Sequence, residues 1–512
     1  MADFFLGIDA GGTALKVAVI AADGRECGVA ATTFRPSTTQ PGHSERDPEA
    51  MWQALCANTR QALNLSGLSG DDIAAIGITG YGNGLYLLDA EHRPVMPGIL
   101  APDLRAATIV DEWRADGTET AQLAHTYQPS WPGRPAPLLA WLKRHHPEIL
   151  AKAATLLLCK DYLRFRLTGK LANEVTDLST AGLLPGDSRR LDPALFELLG
   201  IGDCARLMPP VIETLSVAGE LTSAAAAAMG LRAGTPVAAG SCDNLAIMYG
   251  CGVVDTNRVV IISGTWGLHQ SFLEKPVTDG SIVIVAHGAE AGQWLAIEGS
   301  PTSASTLEWF VDTFMRQLNE ASLPTHAMEK VDDQRIYALC NKALTETDPS
   351  DPPVFFLPYL NGAIDCAAAR GSLIGLSSWH RFGHVVRAIY EGVAFEHRRH
   401  FGRLLAHRSK PATACFAGGA ARSDAWSRIF AACLDLPLNL PRGQELGALG
   451  AAILAAYVTG RQGSIPDACR AMTGVTRTIL PDPELRLLFD RRYETYKMLS
   501  AALAPHWQDL AN

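Results

Sequence analysis

Short apolar runs of strand length alternate with longer stretches of helical periodicity along this chain. Residues 6–8 and, apart from Lys16, 15–20 are apolar and flank Asp9-Ala10-Gly11-Gly12-Thr13-Ala14, and a second turn follows at Asp23-Gly24. This pattern predicts a strand, a tight loop and a strand. Further strands are predicted at 74–79 and 154–158, with a helix around 138–143 between them. Such alternation points to α/β layers. The alanine run 224–228, between Glu220 and Gly230, is helical by propensity. Residues 234–244 form a strand that ends in Gly and Asp and leads into a small-residue helix through Ala246 and Gly250. Residues 173–210 carry Thr, Asp, Gly and Pro at turn spacing and are expected to form an irregular insertion that could wall a substrate site.

Near the middle the opening pattern returns. Arg258-Val259-Val260-Ile261-Ile262 leads into Ser263-Gly264-Thr265 and a renewed apolar run to Gln270. A strand at 353–358, a helix from about 384 to 405, a strand-to-helix turn at 415–420 and helices at 449–456 and 485–503 follow. The repeated hairpin suggests a duplicated architecture, with domains at 1–250 and 251–512 and a nucleotide between them. The last helix could pack on either domain.

The 512 residues suffice for two hydrophobic cores, and 47% hydrophobic with 19% charged residues is the balance of a globular protein. A net charge of -9, spread along the chain, argues against nucleic acid or an anionic membrane as principal partner. The cysteines, scattered from Cys27 to Cys469 without CxxC spacing, indicate neither a zinc ribbon nor a disulfide framework. A reducing compartment fits. Met1-Ala2-Asp3-Phe4-Phe5 enters a strand without a basic leader, and no apolar run has transmembrane length, so a cytoplasmic protein is expected.

The small residues of the first loop let backbone N–H groups approach an anion closely, and phosphate is the obvious candidate. Phosphate would repel the nearby Asp9 unless a cation lay between them, which makes Asp9 a candidate holder of hydrated Mg²⁺. The alternative is an ordinary hairpin with a solvated Asp. Its second copy at Gly264-Thr265 argues for the functional reading. No GxxxxGK[ST] is present, and Gly80-Tyr81-Gly82-Asn83-Gly84 continues into Leu85, so neither a P-loop nor a dinucleotide fingerprint explains a nucleotide site. Asp243, after a Gly-rich strand end, is a candidate base toward a substrate hydroxyl, with Asn244 offering donor and acceptor beside it. A helix N-cap role for Asp243 stands equally open. Gly418-Gly419-Ala420 could present backbone to a flat adenine, with Asp424 and Trp426 on the following helix. His380, His384, His397 and His400 have helical spacing without an HExxH pattern and read as solvated or core residues.

Gly371-Ser372-Leu373-Ile374-Gly375-Leu376, a seven-residue gap, His384-Val385 and Ala388-Ile389-Tyr390-Glu391-Gly392 match the C-terminal signature of a known family. Gly447-Ala448-Leu449-Gly450-Ala451-Ala452 looks like its closing helix, which packs beneath the adenosine loop. With the two hairpins, these residues resemble the FGGY carbohydrate kinases of the actin, Hsp70 and sugar kinase superfamily. The resemblance implies a two-domain α/β, actin-like ATPase (ribonuclease H-like) fold with a central cleft. It implies transfer of the γ-phosphate of ATP to a sugar hydroxyl with Mg²⁺. Asp9, Gly11, Gly12 and Thr13 match the first phosphate loop, with Lys16 just beyond, and Gly264 and Thr265 match the second. Gly418, Gly419 and Ala420 match the adenosine turn, and Asp243 matches the base of the Gly-x-x-Asp-Asn segment. The Met-His-Gly of D-xylulose kinases is replaced by Gly80-Tyr81-Gly82-Asn83-Gly84. This loop, Ala101-Pro102-Asp103-Leu104-Arg105-Ala106 and Ser300-Pro301-Thr302-Ser303-Ala304-Ser305 look more like the L-xylulose kinase group. The implied substrate is a pentulose, L-xylulose first, with D-xylulose or a polyol such as erythritol as alternatives. A non-catalytic sugar or nucleotide sensor on the same fold is the rival class. Asn83, Asp103, Trp131 and Asn244 are the expected substrate contacts, Trp131 offering an apolar face to the sugar or packing under a loop. A homodimer is left open.

Overall fold

The computed structural model describes residues 4–38, 40–316, 333–363 and 365–511. The chain divides into two compact units, each assembled from separated segments. The first comprises Met1–Thr256, Ser271–Ile297 and Arg442–Gly474, and the second Asn257–Gln270, Glu298–Pro441 and Val475–Asn512.

In the first unit the strand Phe4–Ala10 is the axis of the sheet. It pairs antiparallel with Ala14–Ala21 and parallel with Ile73–Gly80, with Gly7 opposite Gly77 and Asp9 opposite Thr79. Glu26–Thr33 extends one side, and Pro236–Ala238 and Ser241–Cys242 pair parallel with Ile73–Gly80 on the other. Leu6, Ile8, Val17, Val19, Ile76 and Ile78 on one face and Phe5, Ala18, Ile20 and Ala75 on the other are all buried, because helices cover both faces. That is why these segments read as unbroken apolar runs rather than alternating ones.

The two covering helices approach on opposite faces. Gly28 lies against Ala62 of the helix Pro48–Ser66, whereas Gly7 lies against Ala448 of the helix Leu446–Val458. Gly28 and Gly7 are in register with Val19 and Ala18, consecutive residues whose side chains point to opposite faces. The approach of Leu446–Val458 is unusually close. A Cβ at Gly7 or Gly77 would fall on the backbone of Ala448 or Ala451, and one at Gly450 on the carbonyl of Ala246 in the helix Asp243–Gly250. Residues 446–456 are buried throughout and mostly Gly and Ala, so the helix fits between sheet and helix without side chains to hold them apart.

The segment 173–210 differs from the irregular insertion expected. It folds as helices Val175–Thr180 and Pro193–Leu198 and a 3₁₀ turn Gly202–Leu207. Its acidic residues and prolines start helices: Glu174 and Asp192 accept bonds from first-turn N–H groups, and Pro193 occupies the first helical position. Leu178, Leu195, Phe196 and Ile201 complete a second core with Leu139 and Leu156.

In the second unit the strand Arg258–Ser263 repeats the role of the first axis. It pairs antiparallel with the residues from Gly267 to Gln270 and parallel with Thr413–Ala417, beyond which lie Leu438–Pro441 and Val475–Ile479. The final long helix, Pro483–Leu503, belongs to this unit. Phe489 and Tyr496 pack on Phe395, and Arg492 Nη1 lies 2.8 Å from each oxygen of Glu391. No helix of the described residues is long and apolar enough to cross a membrane.

Gly77→Ala should lower stability by about 1–3 kcal/mol or more, because its Cβ meets backbone that cannot rotate away. Gly402→Ala, on the helix Phe382–Leu405 with nothing within 4 Å of its Cβ, should be neutral or stabilising. Thermal or urea unfolding distinguishes the two, and equal effects would contradict the close helix-to-sheet contact.

Candidate active site

The first hairpin turns at Gly11, Gly12 and Thr13, and Gly12 and Thr13 are exposed. Beneath them lies Arg46, 4% exposed, which donates from Nη1 to Gly11 O at 3.2 Å and from Nη2 to Gly12 O. Its guanidinium packs against Phe34 and Tyr81, 4.7 and 5.7 Å from the ring centroids. A trans peptide holds its C=O and N–H pointing oppositely. Drawing the Gly11 and Gly12 carbonyls toward Arg46 therefore directs the N–H groups of Gly12 and Thr13 away from it, as an anion cradle requires. The sequence gives no spacing signal for Arg46, which reads as one more charge between Glu45 and Asp47.

Asp9 is the last residue but one of the axial strand, with Lys16 opposite it in register. Its carboxylate rests on Gly447, in the first turn of the helix Leu446–Val458, where a Cβ would overlap it. Burial pushes the Asp9 carboxyl up to about 6, with Lys16 pulling it down and Glu445 pushing it further up. Lys16, expected among the nucleotide contacts, pairs through Nζ with Glu445 Oε2 at 2.7 Å.

Asp243 is the first residue of its helix, and the cap position belongs to Cys242. Asp243 Oδ1 accepts two bonds from Asn244, from N and from Nδ2, each 2.7 Å. Asn244 thus orients the carboxylate. Burial pushes the Asp243 carboxyl up to about 7, and the negative charge of Asp9 adds to the rise. The two acids meet because Asp9 and Ser241 both pair with Thr79, and Thr79 Oγ1 donates to Ser241 O at 2.8 Å. Both therefore stand at the carboxyl ends of parallel strands, where open α/β sheets bind ligands.

Asn83 follows the end of the strand Ile73–Gly80. It adopts φ 67° and is buried, and its Oδ1 makes no hydrogen bond. Gly84 N donates to Gly133 O at 2.8 Å, which ties this loop to the one carrying Trp131. Trp131 is half-buried, with the Arg134 guanidinium 3.9 Å from its ring centroid. Asp103 is bound up internally. Fully buried, it accepts from Ser44 N at 2.7 Å and from Arg105 Nε and Nη2 at 2.8 and 2.9 Å, while Arg105 Nη2 also reaches Glu45 at 2.7 Å. Asp103 thereby holds the strand Glu45–Arg46 and, through it, Arg46.

A buried charge cluster, which the sequence disguises as solvated residues, lies behind Asp243. Lys160 Nζ is 2.6 Å from Asp161, 3.3 Å from Asp177 and 3.5 Å from Glu174, and Arg164 Nη1 is 2.6 Å from Asp161. All five are essentially inaccessible.

The second unit holds the other loop residues. Thr265 is exposed, and Ser305 donates from N to Gly264 O at 3.3 Å and from Oγ to Thr265 O at 2.9 Å. Carbonyls are drawn back here as at the first hairpin, by a serine in place of an arginine. Gly418, at φ 95°, closes over Ser263, where a Cβ would strike the Ser263 carbonyl. The second phosphate-type loop and the Gly418-Gly419 turn are thus brought together. Gly418 and Gly419 are exposed, whereas Ala420 is fully buried beneath them. Trp426 is buried and donates through Nε1 to Tyr390 O at 3.0 Å, and Asp424 pairs with Arg428 and Arg477. His397 and His400 are core residues: His397 joins Ser303 at 2.7 Å to His269 at 3.0 Å, and His400 bonds Glu298 and Glu396.

The N-terminal domain of the FGGY family of carbohydrate kinases matches residues 4–250 of this chain, and the C-terminal domain of that family matches 259–459. The chain is 34% identical to the L-xylulose/3-keto-L-gulonate kinase of Escherichia coli K12 over 98% of both proteins. It is 32% identical to a probable L-xylulose kinase of Pasteurella multocida over 98% of this chain and 99% of that one. Its fold matches the crystal structure of ligand-bound xylulose kinase from Lactobacillus acidophilus with a TM-score of 0.88 at 22% identity, covering 99% of this chain and 100% of that one. Two sheets, each opening on a small-residue hairpin, and these full-length matches lead to one conclusion: the chain belongs to the FGGY family of carbohydrate kinases and is a sugar phosphotransferase.

Proposed function

We infer that this enzyme is an ATP-dependent pentulose kinase acting first on L-xylulose, with D-xylulose and polyols such as erythritol as the alternatives to test. The observation that carries the reading is Asp243. Its carboxylate is oriented by Asn244, pushed up to about 7 by burial, and set beside Asp9. A base with a pKa near the working pH accepts a hydroxyl proton most effectively. The names of the relatives support the choice of sugar, and Trp131 and Asn83 supply an apolar face and a polar contact near it.

The exposed N–H edges of Gly12 and Thr13, and of Thr265, are the phosphate-binding candidates. Gly418 and Gly419 offer the surface for adenosine. The residues around Asp9 fit a hydrated Mg²⁺: a half-buried carboxylate, desolvated and repelled by a second one, stands beside a phosphate cradle. Among the described residues no group of three or more His, Cys, Asp and Glu could hold a metal, so water and phosphate would complete the shell, as is usual for Mg²⁺. When bound, the ion neutralises charge on the phosphate oxygens. Asp243 takes the proton of the attacking hydroxyl, and Asp9 holds the cation side of the site.

Asp243→Asn should lower kcat by about 10²–10⁴ while leaving sugar affinity within a few fold, measured by ADP release over a panel of ketopentoses and polyols. Wild-type kcat in that variant would rule out Asp243 as base, and ADP release independent of sugar would favour an ATPase. The base works ionised, and burial raises its folded pKa to about 7. The kcat/KM of wild type should therefore fall about tenfold per unit below that pH and level off above it. Higher Mg²⁺ should move the acid limb to lower pH, because a cation on Asp9 offsets its repulsion of Asp243. Gly447→Ala displaces the Asp9 carboxylate and should cut kcat at least about tenfold and raise the Mg²⁺ needed for half-maximal rate. Unchanged Mg²⁺ dependence would count against Asp9 as the anchor.

A further inference from the structure

Asp177 is the one carboxylate of the buried cluster that makes no hydrogen bond. Asp161 is bonded by Lys160 and Arg164 at 2.6 Å each. Glu174 caps its helix, accepting from Thr176 N and Oγ1 at 2.8 Å each, and from Thr214 Oγ1. Asp177 has only the ion pair of its Oδ2 with Lys160 Nζ at 3.3 Å, although it is fully inaccessible. Buried carboxylates normally accept several donors.

The direction in which it faces is informative. A Cβ placed on Gly82 would lie 3.6 Å from Asp177 Oδ1 and 3.3 Å from Thr180 Oγ1, so the carboxylate looks onto the glycine-lined loop that leaves the strand Ile73–Gly80. The next residue in that loop is Asn83, 7% exposed, whose Oδ1 also lacks a donor. The helix bearing Asp177 is tied to the strand Ser241–Cys242 that leads into Asp243, because Cys242 N donates to Thr176 Oγ1 at 3.0 Å. Two acceptors without donors therefore flank Gly82, close to Asp243. Lys160 and Arg164 face Asp161, Glu174 and Asp177, so three carboxylates outweigh two cations, and the spot suits a neutral hydroxyl donor rather than an anion. Burial holds the Asp177 carboxyl well above the usual range against the pull of Lys160, with Asp161, Glu174 and Asp243 adding to the rise. Hydroxyl donors would relieve that.

We propose that Asp177, with Asn83 beside it, accepts hydrogen bonds from sugar hydroxyls next to the reacting one, offered from the side of Gly82, where no side chain stands between. The assignment rests on the kinase reading above and adds a residue that selects the hydroxyl pattern of the substrate.

The test compares wild type, Asp177→Asn and Gly82→Ala on whichever ketopentose the wild type phosphorylates fastest, and on its single-deoxy analogues. Asp177→Asn should raise KM on the order of tenfold to a hundredfold with kcat changed by no more than about threefold. One deoxy analogue should lose as much with wild type and lose nothing further with the variant, a coupling that a purely structural defect would not produce. Gly82→Ala should raise KM by setting a methyl group in front of Asp177 Oδ1, and it decides the matter should Asp177→Asn fail to fold. A KM within twofold of wild type in the folded variants overturns the assignment alone. Absence of turnover of every ketopentose by the wild type overturns the pentulose reading and this assignment with it.

Discussion

The close seating of the helix Leu446–Val458 on the first sheet is the constraint on which the geometry of the candidate site depends. Gly7 and Gly77 make a floor without side chains, and the helix offers little more than glycine and alanine to meet it. Backbone then packs directly against backbone, at a density that leaves no slack. Through Gly447 the helix supports Asp9, and through Gly450 it supports the helix that begins at Asp243. A shift of one ångström in this helix would move both acids at once.

The two acids are costly neighbours. Each is removed from bulk water, each is pushed toward its neutral form, and the charge of Asp9 disfavours ionisation of Asp243. Two carboxylates that disfavour each other's ionisation are the kind of perturbed pair that clusters at functional sites. Behind them, the cluster around Lys160 holds its charges in fixed positions, so the support beneath the two acids can be polar and rigid together.

Much of this was legible in the sequence, because its main signals are local. The two hairpins, the strand leading to Asp243 and the turn at Gly418 are announced by small residues at sharp bends next to apolar runs. The parts that escaped depend on tertiary partners. Arg46 and Asp103 exchange the roles their residue types suggest, the arginine shaping a phosphate-type loop and the carboxylate holding a structural strand. Lys16 is drawn to Glu445, which lies far along the chain, and Ala420 lies under its turn instead of on it. The order in 173–210 was concealed because its acids and prolines signal turns and helix starts alike. The membership of residues 442–474 in the first unit has no local signature, since a Gly and Ala helix carries no pattern that says what it packs on.

That composition also determines how the enzyme can be damaged. Most buried helices are weakened when side chains are cut back, and truncation to alanine reveals their importance. The helix Leu446–Val458 has little left to cut back, since much of it is already alanine or glycine. An alanine scan would pass over much of it in silence and leave the impression of a tolerant region. Its sensitivity runs the other way, toward any added methyl group, so the variation that natural sequences permit here should be bounded by volume more than by polarity.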